Sequence, residues 1–187
     1  MSEEAMIKYC APTLAGIKTG SLFTCPCEDI EELKEEIRAF NRKYVSRGLC
    51  LIPLKYEKGR VMLYLYRPTG LRRDLQDRLA RQLLQEEGYP WTVPELCITA
   101  LIKKLNTEHE FPHEIGLFLS YPPEDVKGFI DNHAGDYKYS GMWKVYGDIN
   151  KARNMFKKYK QCTETYCRMW IAGFCMDQLA VRVPTGF

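Results

Sequence analysis

Apolar positions along the chain recur with two different periods, and the switches between them mark out the elements. Between 30 and 45, Ile30, Leu33, Ile37, Phe40 and Tyr44 recur at helical spacing, and Gly48 supplies a stop. LCLIPLKY and VMLYLYR then flank Glu57-Lys58-Gly59-Arg60, which predicts a hairpin whose turn glycine takes a positive φ. The second of these strands is apolar on both faces and belongs in the middle of a sheet. Pro53 puts the first at an edge or at a bulge. Leu71, Leu75, Leu79 and Leu83 predict a helix that Gly88 ends. Thr92-Val-Pro-Glu95 reads as a capping box, opening a helix with Ile98, Leu101, Ile102 and Leu105 inward. Residues 115–121 read as a buried strand. Pro122-Pro123-Glu124-Asp125 starts a helix carrying Val126, Phe129 and Ile130, and MWKVYG reads as a short strand. Asp148 caps a helix burying Ile149, Ala152, Phe156 and Tyr159, a last helix carries Tyr166, Trp170 and Phe174, and 181–187 reads as a loose tail.

Assembled, this order predicts an α/β (mixed α+β) fold in a single domain over 1–187. Its sheet has about four strands, mixed in direction, with helices packed on it. It contains one hairpin and one right-handed β-α-β crossover between 115 and 146. Leu63, Leu65, Leu117, Leu119, Val145 and Trp170 are expected in the core.

Composition narrows the class. At 187 residues and 45% hydrophobic, the chain can bury a substantial core. No run of eighteen apolar residues exists, so no membrane span is expected, and MSEEAMIKYC lacks the apolar stretch of a secretory signal. The expected location is cytoplasmic. The eight cysteines are irregularly spaced and read as thiols. Cys25-Pro-Cys27 is too tight for a zinc pair, and Cys162, Cys167 and Cys175 match no iron–sulfur spacing, so no metal is expected. Neither GxxxxGK[ST] nor GxGxxG occurs, which speaks against ATP or dinucleotide use, and the cofactor is unknown at this level.

Charge is uneven although the net value is only +3. Residues 28–36 carry six carboxylates against one lysine, while the C-terminal helices are basic. Lys151, Arg153, Lys157 and Lys158 could present a surface to an anionic ligand or a protein partner, and so could Lys18, Lys55 and Arg67 beside their turns. The plainer alternative is solvated helix faces. Tyr137 to Tyr146 mixes rings with lysines, but its alternation is that of a half-buried strand, and a pI near 8.4 speaks against nucleic acid.

One constellation carries candidate chemistry. Pro12 suits a first helical turn, which would put the Cys10 thiol at a helix N-terminus where a thiolate is favoured. His113, at the start of the expected strand, would be its base. Glu114 is a candidate to orient the imidazole, although adjacent strand residues point to opposite faces; Asp136 and Asp148 are alternatives. The opposing reading leaves Cys10 half-buried and His113 bonded to a loop.

CAPTLAGIKTGSLF, LYLYRP, FPHEIGLFLSYPPEDVKGFI and GMWKVYGD together resemble a bacterial family found mainly in anaerobic Gram-positive organisms and catalogued as a domain of unknown function. The resemblance spans nearly the whole chain. It implies a single-domain bacterial protein, with a tie to redox or iron metabolism, and it specifies no activity. Two readings follow. One is a thiol-dependent hydrolase or acyl transferase using Cys10 and His113. The other is a non-catalytic binding or regulatory module with a basic C-terminal helical surface.

Overall fold

The computed structural model describes residues 2–107 and 110–183. Its elements begin with α1 (Glu3–Leu14), β1 (Gly20–Pro26), α2 (Ile30–Tyr44), β2 (Cys50–Glu57), β3 (Arg60–Tyr66) and α3 (Pro68–Asp74). They continue with α4 (Arg78–Glu86), α5 (Pro94–Thr107), α6 (Ile115–Phe118), α7 (Pro123–Asp131), β4 (Tyr139–Ser140) and β5 (Lys144–Val145), and end with α8 (Ile149–Ile171) and α9 (Met176–Leu179). These divide into two compact units, one of Met1–Gly70 with Tyr159–Phe187 and one of Leu71–Lys158.

The first unit is built on a three-stranded antiparallel sheet in the order β1-β3-β2. β3 is central, as its two apolar faces require. The β2–β3 hairpin closes through Lys58 and Gly59, both at positive φ (50° and 70°), the two-residue turn whose twist matches antiparallel strands. Pro53 sits on the edge strand beside a register shift between Pro53 and Lys55. The outer edge of β2 is closed by a side chain. Asn41 of α2 accepts from the Leu51 amide at 2.8 Å and donates back to the Leu51 carbonyl at 2.8 Å, so a strand-like pair covers the exposed ladder. Leu33, Ile37 and Phe40 of α2 meet Met6, Ile7 and Leu14 of α1 and the strand residues Leu51, Leu63 and Leu65 in one core. Ile30, expected inward, is exposed.

Arg67, just past β3, is the polar centre of this unit. It is 4% exposed, and the described residues bring it no carboxylate. Its guanidinium donates to the Thr13 and Leu14 carbonyls (2.7 Å each), the Arg47 carbonyl (3.1 Å) and the Val181 carbonyl (2.9 Å). Thr13 and Leu14 end α1, where carbonyls with lone pairs to spare and the negative end of the helix dipole favour a cation. Burial lowers the guanidinium pKa to about 10, so it stays charged at neutral pH. The expected loose tail is tied down at its start. Val181 and Val183 donate to the Leu14 and Arg47 carbonyls, while 184–187 lie outside the described residues.

The second unit departs from the expected sheet. The 115–121 run is the short helix α6, not a strand, so the four-stranded sheet and the parallel crossover are both replaced by helices and a two-stranded antiparallel β4–β5 pair. The run ends in a tight helical stop. The Tyr121 amide reaches the Gly116 carbonyl and the Ser120 amide the Leu117 carbonyl, with Ser120 left-handed at φ 61°. Ile115, Leu117, Phe118 and Leu119 are all buried, which a continuous apolar run achieves equally well as helix or strand. The expected 71–83 helix is broken into α3 and α4, because Asp77 caps α4 by accepting from the Leu79 and Ala80 amides. The two expected C-terminal helices are one, α8, opened by Asp148 as expected.

Asp125 fastens the β4–β5 segment to α7. The carboxylate is 3% exposed and accepts from Trp143 Nε1 (2.8 Å) and from the amides of Tyr146 (2.8 Å) and Gly147 (2.7 Å). Three N–H donors satisfy this buried carboxylate, and among the described residues no cation pairs with it.

Arg67→Met removes a charged donor from four carbonyls, leaves the Val181 carbonyl without its side-chain partner, and should destabilise the protein by about 3–5 kcal/mol in urea unfolding. Asp125→Asn turns an all-acceptor group into one with a donor facing N–H groups. It should cost about 1–3 kcal/mol and weaken the near-ultraviolet circular dichroism of packed tryptophan.

Candidate functional site

Cys10 does not sit at a helix N-terminus. α1 begins at Glu3, with the Ser2 hydroxyl accepting from the Ala5 amide, so Cys10 falls in its third turn and Pro12 near its end. Pro12 is no first-turn marker here, because Ser2 caps the helix ten residues earlier and Glu3 and Glu4 supply its first-turn acids. The thiol is fully buried, and that burial pushes its pKa well above the ordinary 9.0, with Lys18 only partly opposing the rise. It is a protonated core thiol at neutral pH. Lys18 shows the converse: burial lowers its ammonium from 10.5 to about 8, with Cys10 opposing, and its Nζ lies 5.9 Å from the Tyr159 ring centre.

Cys10 and Lys18 belong to the first unit, His113 and Glu114 to the second. His113 is exposed and Glu114 is 3% exposed, so the neighbours diverge as expected, although on a helix entry and not on a strand. Glu114 bonds, among the described residues, to a hydroxyl and an ammonium, not to an imidazole. Its Oε1 accepts from the Tyr89 hydroxyl (2.8 Å) and from Lys104 Nζ (3.0 Å), and Lys104 also reaches Glu87 at 3.1 Å. Burial opposes the Lys104 charge, but the two carboxylates outweigh it and raise its pKa.

The basic residues of α8 do not form one face. Lys151 and Lys158 are seven apart and share a side; Arg153 and Lys157 are four apart and share another, offset by about 200° of helical turn. Lys151 approaches Glu124 at 3.8 Å, and Arg153 covers the Tyr139 ring at 4.6 Å. Both are committed to their own neighbourhood. Asp136 is a left-handed loop residue (φ 49°), and Asp148 is a helix cap.

What the second unit gathers instead is a pair of cavities that meet at His113. Its imidazole stands edge-on to Phe129 with ring centres 4.9 Å apart, and both residues line each cavity. One, of about 360 Å³, is walled by Ile115, Tyr121, Val126 and Trp143, with Ser140 and Lys144 also lining it. The other, of about 540 Å³, is polar, with Glu87, Lys104, Glu110 and His133 among its lining. Rigidity of the aromatic wall comes from ring packing. Tyr121 stacks on Trp143 (4.6 Å, 25°), and Trp143 meets Phe156 edge-on (4.4 Å, 81°). Trp143 and Val145 are buried while Lys144 and Tyr146 are partly exposed, which is the alternation the sequence implied.

Lys144 joins the two halves of this wall. Its Nζ donates to the Ala134 carbonyl (2.6 Å) and lies 5.7 Å and 4.8 Å from the Phe129 and Tyr137 ring centres. The 133–136 loop it holds carries three left-handed non-glycine residues, His133, Ala134 and Asp136. Tyr121, Trp143, Ser140 and Lys144 were not picked out as a site from the sequence. The density of rings in 137–146 was the available signal, and strand alternation accounted for it without a site.

Raising the pH should stabilise the fold through Lys18. Between pH 8 and 10.5 the unfolded chain holds a proton on Lys18 that the folded chain has released, so stability rises across that window. Above pH 9 Cys10 works in the opposite sense, because the folded thiol keeps its proton. Lys18→Met should therefore lose about 1 kcal/mol of the gain between pH 7.5 and 9 relative to the unsubstituted protein, read from urea midpoints at the two values.

The model of a family described as protein of unknown function (DUF3793) matches residues 6–180. No curated protein and no solved structure matches the chain. Because the matched span takes in nearly all of both units, the chain belongs to the DUF3793 family.

Proposed function

We propose that this protein is a non-catalytic small-molecule-binding module whose site is the aromatic cleft of the second unit. The observation that carries the reading is the cleft itself: about 360 Å³ of concave space walled by Tyr121, Phe129 and Trp143, with a few polar groups converging on it. That size and that mixture are what ligand pockets have. The walls are pre-organised by ring stacking and by the Asp125 bonds, so little order has to be imposed on binding.

Catalysis by thiol is the weaker reading, since Cys10 is protonated and fully buried. Within the cleft, Asp125 has both oxygens engaged by N–H donors and is a poor general base. The α8 cations are a weaker candidate surface, being divided between two sides of the helix.

A neutral fluorescent aromatic, N-phenylnaphthylamine, tests the reading. It should bind saturably in the micromolar range with enhanced emission. Ser140→Trp, which fills the cleft from its exposed rim, should weaken binding at least about tenfold with the melting temperature unchanged. Emission that does not saturate, or that ignores the tryptophan, would overturn it.

A further inference from the structure

We infer that the aromatic cleft selects a planar aromatic anion, an aryl carboxylate or its like, with Lys144 as the residue that reads the charge. The inference rests on the cleft being a ligand site and adds the class of ligand.

Two charged groups line the cleft, Asp125 and Lys144, and they differ in what they have left to offer. Asp125 is saturated by three N–H donors at 2.7–2.8 Å, so a ligand cation would have to compete with bonds that hold the hairpin in place. Lys144 carries three donors and gives one to the Ala134 carbonyl. Its other neighbours are the faces of Phe129 and Tyr137, and among the described residues no carboxylate lies within ion-pair distance. A partly buried ammonium beside an apolar wall, with donors in hand and no counter-charge, favours an anion.

The hairpin adds a second donor at the same place. Ser140 and Lys144 are direct partners across the β4–β5 pair, so hydroxyl and ammonium leave the same face of the ribbon, and both line the cleft. His113, exposed and also lining the cleft, brings ring N–H capacity. A flat ring seated in the cleft would turn its charged substituent toward Lys144 and Ser140. The cleft suits one or two fused rings; a nucleotide's multiple phosphates would exceed the single un-neutralised cation.

A matched pair of probes separates this from the reading beneath it. Anilinonaphthalene sulfonate and N-phenylnaphthylamine share their rings, and only the first is an anion. The sulfonate should bind about tenfold or more tighter at low salt, with an advantage that shrinks as salt rises. Lys144→Met, which keeps the apolar stem over the rings, should erase that advantage and bring the sulfonate's affinity down to that of the neutral probe on the same variant. Lys144→Arg should restore most of it, and Ser140→Ala should lower sulfonate affinity a few-fold. Circular dichroism and melting of each variant control for folding. If both probes bind equally, or if Lys144→Met weakens them alike, the anion inference is wrong and the cleft stands. If neither binds, the cleft reading falls and takes the inference with it.

Discussion

A buried guanidinium that donates to four main-chain carbonyls organises the first unit. Arg67 gathers the end of α1, the turn at Arg47 and the segment at Val181, three places far apart in sequence, and adds a charged donor to carbonyls of which three also accept from backbone amides. Arginine suits this because its planar fork presents five donors at once and stays charged at a pKa near 10. The β3 strand delivers it to that point, since Arg67 follows directly on Tyr66 and its own amide bonds to the Thr19 carbonyl. The apolar core beneath supplies the bulk of the driving force, while Arg67 decides how the chain ends close over it.

The second unit uses the opposite charge for the same purpose. Asp125 is a buried anion satisfied by N–H groups, and it ties a two-residue-per-strand ribbon to a helix. So short a ribbon would be marginal alone. With Asp125 on one side and the Trp143–Tyr121 stack on the other it becomes the rigid wall of a cleft. The site is thus a by-product of how the hairpin is secured, which explains why its residues look like core in sequence.

Much of the fold was legible. α2, the β2–β3 hairpin with its Lys58-Gly59 turn, the central place of β3, α5 and the Asp148 cap all follow from local signals, because period, cap and turn chemistry agreed there. β1 is hidden by local signals, because a helix that starts at Pro12 leaves GSLFTCP no role as a strand. The candidate site fared worse. His113 was singled out and does line both cavities, but its supposed partner is a core thiol and its neighbour Glu114 answers to Lys104 and Tyr89.

By itself, the sequence determined what depends on neighbours a few residues apart: helix caps, the hairpin turn, the proline-opened helix at 123, and which strand is apolar on both faces. Only the tertiary structure decided what a continuous apolar run such as 115–119 becomes, since burial on every side rewards helix and strand alike until the packing partners are known. It also decided the chemistry of each ionisable group. Cys10, Lys18, Arg67 and Asp125 take their character from burial and from partners up to 114 residues away, and no local pattern encodes those distances.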